Sequence, residues 1–168
     1  MKIVITGAHS CGKTTLAKLY SSVSGLPFVR GDTMKKIMGE KFPGKSLIDL
    51  NDKENWELER AGLLARIKAE IECDSFVSDG CSLNSVVYLQ AKVKDVEAIA
   101  GFKEFYELAI QNAKNYDLII YLPPELPLVD DGFRPLSPEF RQKIDDSLLE
   151  ILKDYKFYIV HGGLKERV

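Results

Sequence analysis

Three features of the sequence predict a three-layer α/β domain whose parallel sheet of about five strands is flanked by helices. Strands alternate with helices along the chain. A glycine-bounded loop joins the first strand to the first helix. The apolar run Leu118-Ile119-Ile120-Tyr121-Leu122 reads as a strand covered on both faces. The loop is Gly7-Ala8-His9-Ser10-Cys11-Gly12-Lys13-Thr14, between Ile3-Val4-Ile5 and Thr15-Leu16-Ala17-Lys18-Leu19. Strand, loop and helix in that order are the setting of a phosphate-binding P-loop, so the expected fold class is the P-loop NTPase fold.

Each loop residue type has a reason to be there. Gly7 and Gly12 allow a tight turn and a close approach to an anion, with no Cβ in the way. The amides from Gly7 to Thr15 and the positive end of the following helix converge on one point, where the phosphates of ATP fit. Lys13 adds a point charge for the outer phosphates, and the Thr14 hydroxyl is a ligand for Mg²⁺. Ser10 and Thr15 complete the cradle. His9 is expected to shape the loop. Cys11 lies in the positive field, which favours its thiolate, and ATP is expected to shield it from alkylation.

The remaining elements follow from periodicity and punctuation. Residues 2–6 form a buried strand and 13–24 the helix behind the loop, ended by Gly25-Leu26-Pro27. Phe28-Val29 is a short second strand, and Thr33 to about Gly39 a helical turn. Residues 41–50, with Pro43 and Gly44, read as a loop. Asn51 or Asp52 caps a long helix to about Cys73, with Trp56, Leu63, Ile67 and Ile71 on its apolar face and Glu and Lys opposite. Residues 75–78 are a third strand ending at Asp79-Gly80, and 84–90 a helix. Residues 95–114 read as one helix, bent at Gly101, with a stripe of Ile99, Phe102, Tyr106, Ile110 and Ala113. Pro123-Pro124 stops the fourth strand, and 125–136 is a loop. Ser137-Pro138-Glu139 starts a helix by cap, proline and acid. Phe157-Tyr158-Ile159-Val160 is the last strand.

Composition narrows the functional classes. The 168 residues suit a single domain, 1–168, with 45% hydrophobic and 29% charged residues. A net charge of −2 gives no broad basic surface for duplex nucleic acid, while a local patch for a single strand stays open. Cys11, Cys73 and Cys81 form no metal-spaced pair, and an odd count suits a reducing, cytoplasmic setting. No apolar run spans a bilayer, so no membrane partner is expected.

Four segments, TGAHSCGKTTLA (6–17), FVSDGCSLNSVVY (76–88), YDLIIYLPPELPLVDDGFR (116–134) and FRQKIDDSLLEIL (140–152), resemble a family of small P-loop ATPases and kinases. The family includes the ribosylnicotinamide kinase domain of NadR-type proteins. HGGLKERV (161–168) resembles its closing segment. Gly80 stands where members often have arginine, and Asn84 where they often have aspartate. Both positions are expected beside the substrate.

The resemblance implies roles, each with a plainer alternative. Asp79 ends a strand next to the P-loop strand, where it suits Mg²⁺ or substrate, or a helix cap. Asp32 suits a base that takes the proton of an acceptor hydroxyl, or a cap on the next turn. Arg134 lies in a segment, about 124–137, that the resemblance makes a lid; it faces the transferring phosphoryl group or pairs with Asp130 or Asp131. Arg167 borders the adenine or is a surface charge. Trp56, Tyr88, Phe42 and Phe105 are candidates to stack on a planar ring. The implied activity is ATP- and Mg²⁺-dependent phosphoryl transfer to a nucleoside-like small molecule, ribosylnicotinamide first. A kinase of nucleotides or modified bases in DNA and a regulatory ATPase are the rivals. The sequence leaves the oligomeric state open.

Overall fold

The computed structural model describes residues 1–30, 33–130, 132–163 and 165–167. Five strands, β1 (Lys2–Thr6), β2 (Phe28–Val29), β3 (Phe76–Asp79), β4 (Leu118–Tyr121) and β5 (Phe157–Ile159), form one parallel sheet in the order β2-β3-β1-β4-β5. The helices are α1 (Lys13–Ser24), α2 (Thr33–Lys41), α3 (Asp52–Ile71), α4 (Ser82–Lys92), α5 (Phe102–Ala113) and α6 (Pro138–Leu152). This is the expected P-loop architecture, with β1 in the middle.

Alternation along β1 divides the core. Ile3 and Ile5 pack with Leu16 and Ala17 of α1 on one face. Val4 faces Leu83 and Val87 of α4 and Ile144 and Leu148 of α6 on the other. Register then fixes the site. Ile5 pairs with Asp79 and Thr6 with Tyr121, so the ends of β3 and β4 flank the start of the loop after β1. The Tyr121 hydroxyl donates to Asp145 of α6 at 2.7 Å, tying β4 to that helix.

Caps explain most boundaries. Asn51 and Glu54 exchange a capping box at the start of α3, at 3.0 and 3.1 Å. Ser137 Oγ accepts from Phe140 N at 3.0 Å, with Pro138 in the first turn of α6. Three expectations change. The turn after Thr33 is a full helix. A 3₁₀ turn at Leu47–Asp49, closed by Ser46 and Asp49, interrupts the 41–50 loop. The stretch 95–114 is not one helix: a 3₁₀ turn at Val96–Ala98 precedes α5, and Gly101 caps it in the left-handed region at φ 90°. A glycine in that conformation marks a helix boundary rather than a bend.

The buried face of α3 also differs from the apolar stripe. Asn55, Leu58, Glu59, Gly62, Leu63 and Glu70 are buried, while Ile71 is exposed. Polar side chains sit inside because neighbours pair with them. Glu70 accepts from Asn112 and Tyr116 at 2.7 and 3.0 Å, and Asn55 donates to the Leu50 carbonyl at 3.1 Å. At Gly62 a Cβ would stand 2.0 Å from Met34 Sδ, so α2 lies directly on α3.

Candidate active site

The loop after β1 is held from inside. Gly7 has φ 144°, Ser10 φ 58° and Gly12 φ 84°. The Cys11 thiol donates to the Ala8 carbonyl at 2.8 Å, and Lys13 Nζ reaches the same carbonyl at 2.5 Å. Gly12 caps α1 without a side-chain hydrogen bond, so no side chain competes for the first-turn amides. The Thr14 hydroxyl donates to Asp79 Oδ2 at 2.5 Å, bringing two hard oxygen donors together at the mouth of the loop.

A cleft of about 570 Å³ opens from the loop. Its near end is lined by Ser10 to Thr15 and Asp79. Arg66, Gly80, Asn84, Ser85, Met34, Glu59, Tyr88, Lys92 and Phe133 also line the cleft. Arg66 donates to the carbonyls of Asp79 and Gly80, both at 3.0 Å, and to Ser78 Oγ at 2.7 Å. Gly80 has φ 87°, and a Cβ on it would lie 3.1 Å from the Arg66 guanidinium and 3.3 Å from Asn84 Oδ1. Arg66 of α3 thus fills the space beside the residue after Asp79. Asn84 Oδ1 accepts from Thr6 Oγ1 at 2.9 Å and from Cys81 N at 2.8 Å, fixing α4 against the loop.

The segment before α6 reaches over this cleft. Val129 N donates to Ser10 Oγ at 3.3 Å, joining it to the phosphate loop. The Arg134 guanidinium lies 5.9 Å from the Tyr88 ring centre and 5.7 Å from that of Phe133, within cation–π range of both. His9 is buried and is not among the residues that line the cleft. It shares a 3.3 Å hydrogen bond with the Tyr88 hydroxyl and packs 5.9 Å from the Phe140 ring.

The turn after β5 braces the loop from beneath. Arg167, expected to border the adenine or to be a surface charge, is buried and is not among the residues that line the cleft. Its side chain is 1% exposed and donates to the Cys11 carbonyl at 2.6 Å and to Glu125 at 3.1 Å. Glu125 also accepts from His161 Nδ1 and Gly162 N, both at 2.7 Å. Hydrogen bonds from His161 first, then Gly162 and Arg167, hold the Glu125 carboxyl down at about 2 from an ordinary 4.5. A depressed carboxyl stabilises the fold above its unfolded value and loses that contribution as pH falls through the folded one. Glu125→Gln is therefore expected to melt below the wild type above pH 4.5, with the gap shrinking between pH 4.5 and 2 and closing below it. A gap independent of pH across a series of melting curves would show that the carboxylate charge is not what holds the turn.

The structure brings Ser10, Cys11, Gly12, Lys13, Thr14, Thr15, Asp79 and Arg134 to one cleft. Gly7 backs onto Leu122 at its root. Asp32 lies outside the described residues. Cys11 is fully buried with its thiol turned to the Ala8 carbonyl, so the fold itself covers the thiol that ATP is expected to shield. Of the four aromatics, Tyr88 lines the cleft. Trp56 and Phe105 pack edge to face at 5.2 Å beside α5, and Phe42 packs against the Met38 cluster of α2. Sequence reasoning missed Glu59, Lys92 and Phe133. Glu59 was legible only as part of a charged helix face, and Phe133 only as a loop residue.

The fold is that of P-loop kinases. The chain belongs to the AAA domain family, whose model matches residues 2–167. A NadR protein in complex with NR superposes with a TM-score of 0.69 at 21% identity, over 97% of this chain and 46% of that one. This chain therefore spans less than half of that NadR. Deoxyadenosine kinase from M. mycoides, with products dCMP and dCDP, gives a TM-score of 0.66 at 18% identity, covering 99% of this chain and 94% of that one. Thymidylate kinase from Ehrlichia chaffeensis gives 0.56 at 18%, covering 98% and 89%. At these identities the likeness is one of fold. No curated protein matches the chain in sequence. No helix among the described residues is long and apolar enough to cross a membrane.

Proposed function

We propose that the chain transfers the γ-phosphoryl group of ATP to a hydroxyl of a nucleoside-like small molecule. Ribosylnicotinamide comes first among acceptors, through the family resemblance and the NadR likeness. The carrying observation is the continuity of the cleft: one cavity is lined both by the phosphate loop and by Met34, Tyr88 and Phe133. A hydrolase needs only the first half.

In this reading the amides of Gly7 to Thr15 hold the donor phosphates, and Lys13 leaves the Ala8 carbonyl to meet them. Thr14 and Asp79 fit Mg²⁺ because both are hard oxygen donors already in contact, and no larger cluster of ligating side chains exists among the described residues. Bound there, Mg²⁺ would neutralise phosphate charge. Arg134, carried by the 124–137 lid, adds positive charge beside the transferring group. Asp32 accepts the acceptor's proton and aims its oxygen. Arg167 sets the loop through the Cys11 carbonyl rather than touching the nucleotide base.

The test is a transfer screen with γ-labelled ATP over nucleosides, monophosphates and modified oligonucleotides. Label is expected on a nucleoside. Asp32→Asn is expected to lower turnover about 10²- to 10³-fold while nucleotide binding is kept. Label released only as inorganic phosphate, unaffected by any acceptor, would overturn the reading. Unchanged turnover in Asp32→Asn would remove its role as base.

A further inference from the structure

The far end of the cleft holds an ion pair that phosphoryl transfer does not use. Glu59 of α3 and Lys92 of α4 line the cleft with side chains only 3% and 9% exposed. Lys92 Nζ donates to Glu59 Oε1 at 2.7 Å. Among the described residues Glu59 Oε2 accepts no hydrogen bond, and it is not one of the fully buried unpartnered side-chain atoms. Burial pushes the Glu59 carboxyl up, and Lys92 and then Arg134 draw it back. On a side chain only 3% exposed, a carboxylate oxygen with no protein donor is left with its acceptor capacity for a molecule in the cleft.

Helix geometry gives the distance from the phosphates. Glu59 precedes Arg66 by two turns of α3, about 10 Å along the axis. Arg66 is fixed on the Asp79 and Gly80 carbonyls. Lys92 follows Asn84 along α4 by about 12 Å. Asn84 is fixed at Thr6 and Gly7. Both helices therefore put the pair about one nucleoside length from the metal-ligating oxygens. Tyr88 and Phe133 flank the path, and Lys92 Nζ lies 5.7 Å from the Tyr88 ring centre.

Glu59 only accepts and Lys92 only donates, and the two stand side by side. That pattern complements a planar edge carrying an N–H donor beside an acceptor, as in a lactam, an amidine or a carboxamide. A hydroxyl, being donor and acceptor at once, would not be distinguished. A phosphate at this end would meet the Glu59 carboxylate.

We infer that Glu59 and Lys92 read the ring of the acceptor, Glu59 Oε2 taking its N–H and Lys92 Nζ donating to the neighbouring acceptor atom. The substrate class is then a nucleoside whose ring bears such an edge. The inference rests on the phosphotransfer reading for which molecule enters the cleft, so its test separates the two.

Calorimetry on the full chain, with Mg²⁺ and a non-hydrolysable ATP analogue, would measure binding of ribosylnicotinamide and the four common ribonucleosides. Each is paired with an analogue whose edge is deleted or blocked: ribosylpyridinium, purine riboside for adenosine, N3-methyluridine for uridine, and their counterparts. The same pairs are run in the transfer assay. The intact edge is expected to bind ten- to a hundredfold more tightly than its analogue in the wild type. Glu59→Gln, and the exchange Glu59→Lys with Lys92→Glu that keeps an ion pair, are expected to bring this ratio within about threefold. A wild-type ratio near one, an unchanged ratio in the exchanged variant, or no binding by any nucleoside would overturn the inference. Edge-dependent binding without transfer would overturn the kinase reading alone. Transfer without edge dependence would overturn the base-reading pair alone.

Discussion

Replacing Lys13 by alanine is expected to lower γ-phosphoryl transfer by about 10³-fold or more, equivalent to roughly 4 kcal/mol of barrier. The ammonium lies on the Ala8 carbonyl at 2.5 Å, within the loop it serves. A triphosphate supplies a far stronger partner, because charge on its outer oxygens grows as the phosphoryl group leaves. Folding should change much less, by about 1 kcal/mol, since a single carbonyl hydrogen bond at a half-exposed side chain is lost. Transfer rates and melting curves on the same preparation separate these effects. A variant that transfers phosphate within tenfold of the wild type would exclude Lys13 from the reaction. A variant that fails to fold would show that the Lys13–Ala8 contact is structural.

The contrast between Lys13 and Glu59 shows where the sequence is legible. The phosphate loop was readable because its chemistry is contiguous: eight residues bring the glycines, amides, ammonium and hydroxyl together with no help from tertiary packing. Strand order could also be anticipated, since parallel crossovers leave few arrangements, and register then carries Asp79 to the loop. The far half of the cleft has no such continuity. Met34, Glu59, Lys92 and Phe133 come from α2, α3, α4 and the segment before α6, and meet only through tertiary packing such as that of α2 on Gly62 of α3. Along α3 a glutamate at Glu59 looks like the solvated glutamates around it. Only the lysine 33 positions later, at 2.7 Å, distinguishes it. The stretch 95–114 failed for the opposite reason. Its apolar spacing continues through Gly101, whose positive φ interrupts the helix without interrupting the pattern.

The same distinction between local and tertiary causes predicts a large stability effect at Gly7. A Cβ on Gly7 would stand 2.4 Å from the Leu122 carbonyl oxygen and 2.8 Å from Cys11 Sγ, at a φ of 144° that L side chains rarely adopt. Neither neighbour can yield cheaply. Leu122 N is bonded to the Thr6 carbonyl at 2.9 Å, which ties this residue to the end of β1. Cys11 is fully buried, with its thiol on Ala8. Gly7→Ala therefore combines steric overlap with backbone strain and is expected to cost about 3 kcal/mol or more. For a chain of this size that lowers the melting temperature by roughly 6–12 °C. Nucleotide binding should fall with it, because the clash lies at the root of the loop. Gly39→Ala supplies the contrast. It lies within α2 with nothing within 4 Å of its Cβ position, and there the substitution is expected to stabilise by about 0.5–1 kcal/mol. Calorimetric melting of both variants settles the matter. If Gly7→Ala melts with the wild type and binds nucleotide as well, the loop does not depend on contact between its first glycine and the end of β4.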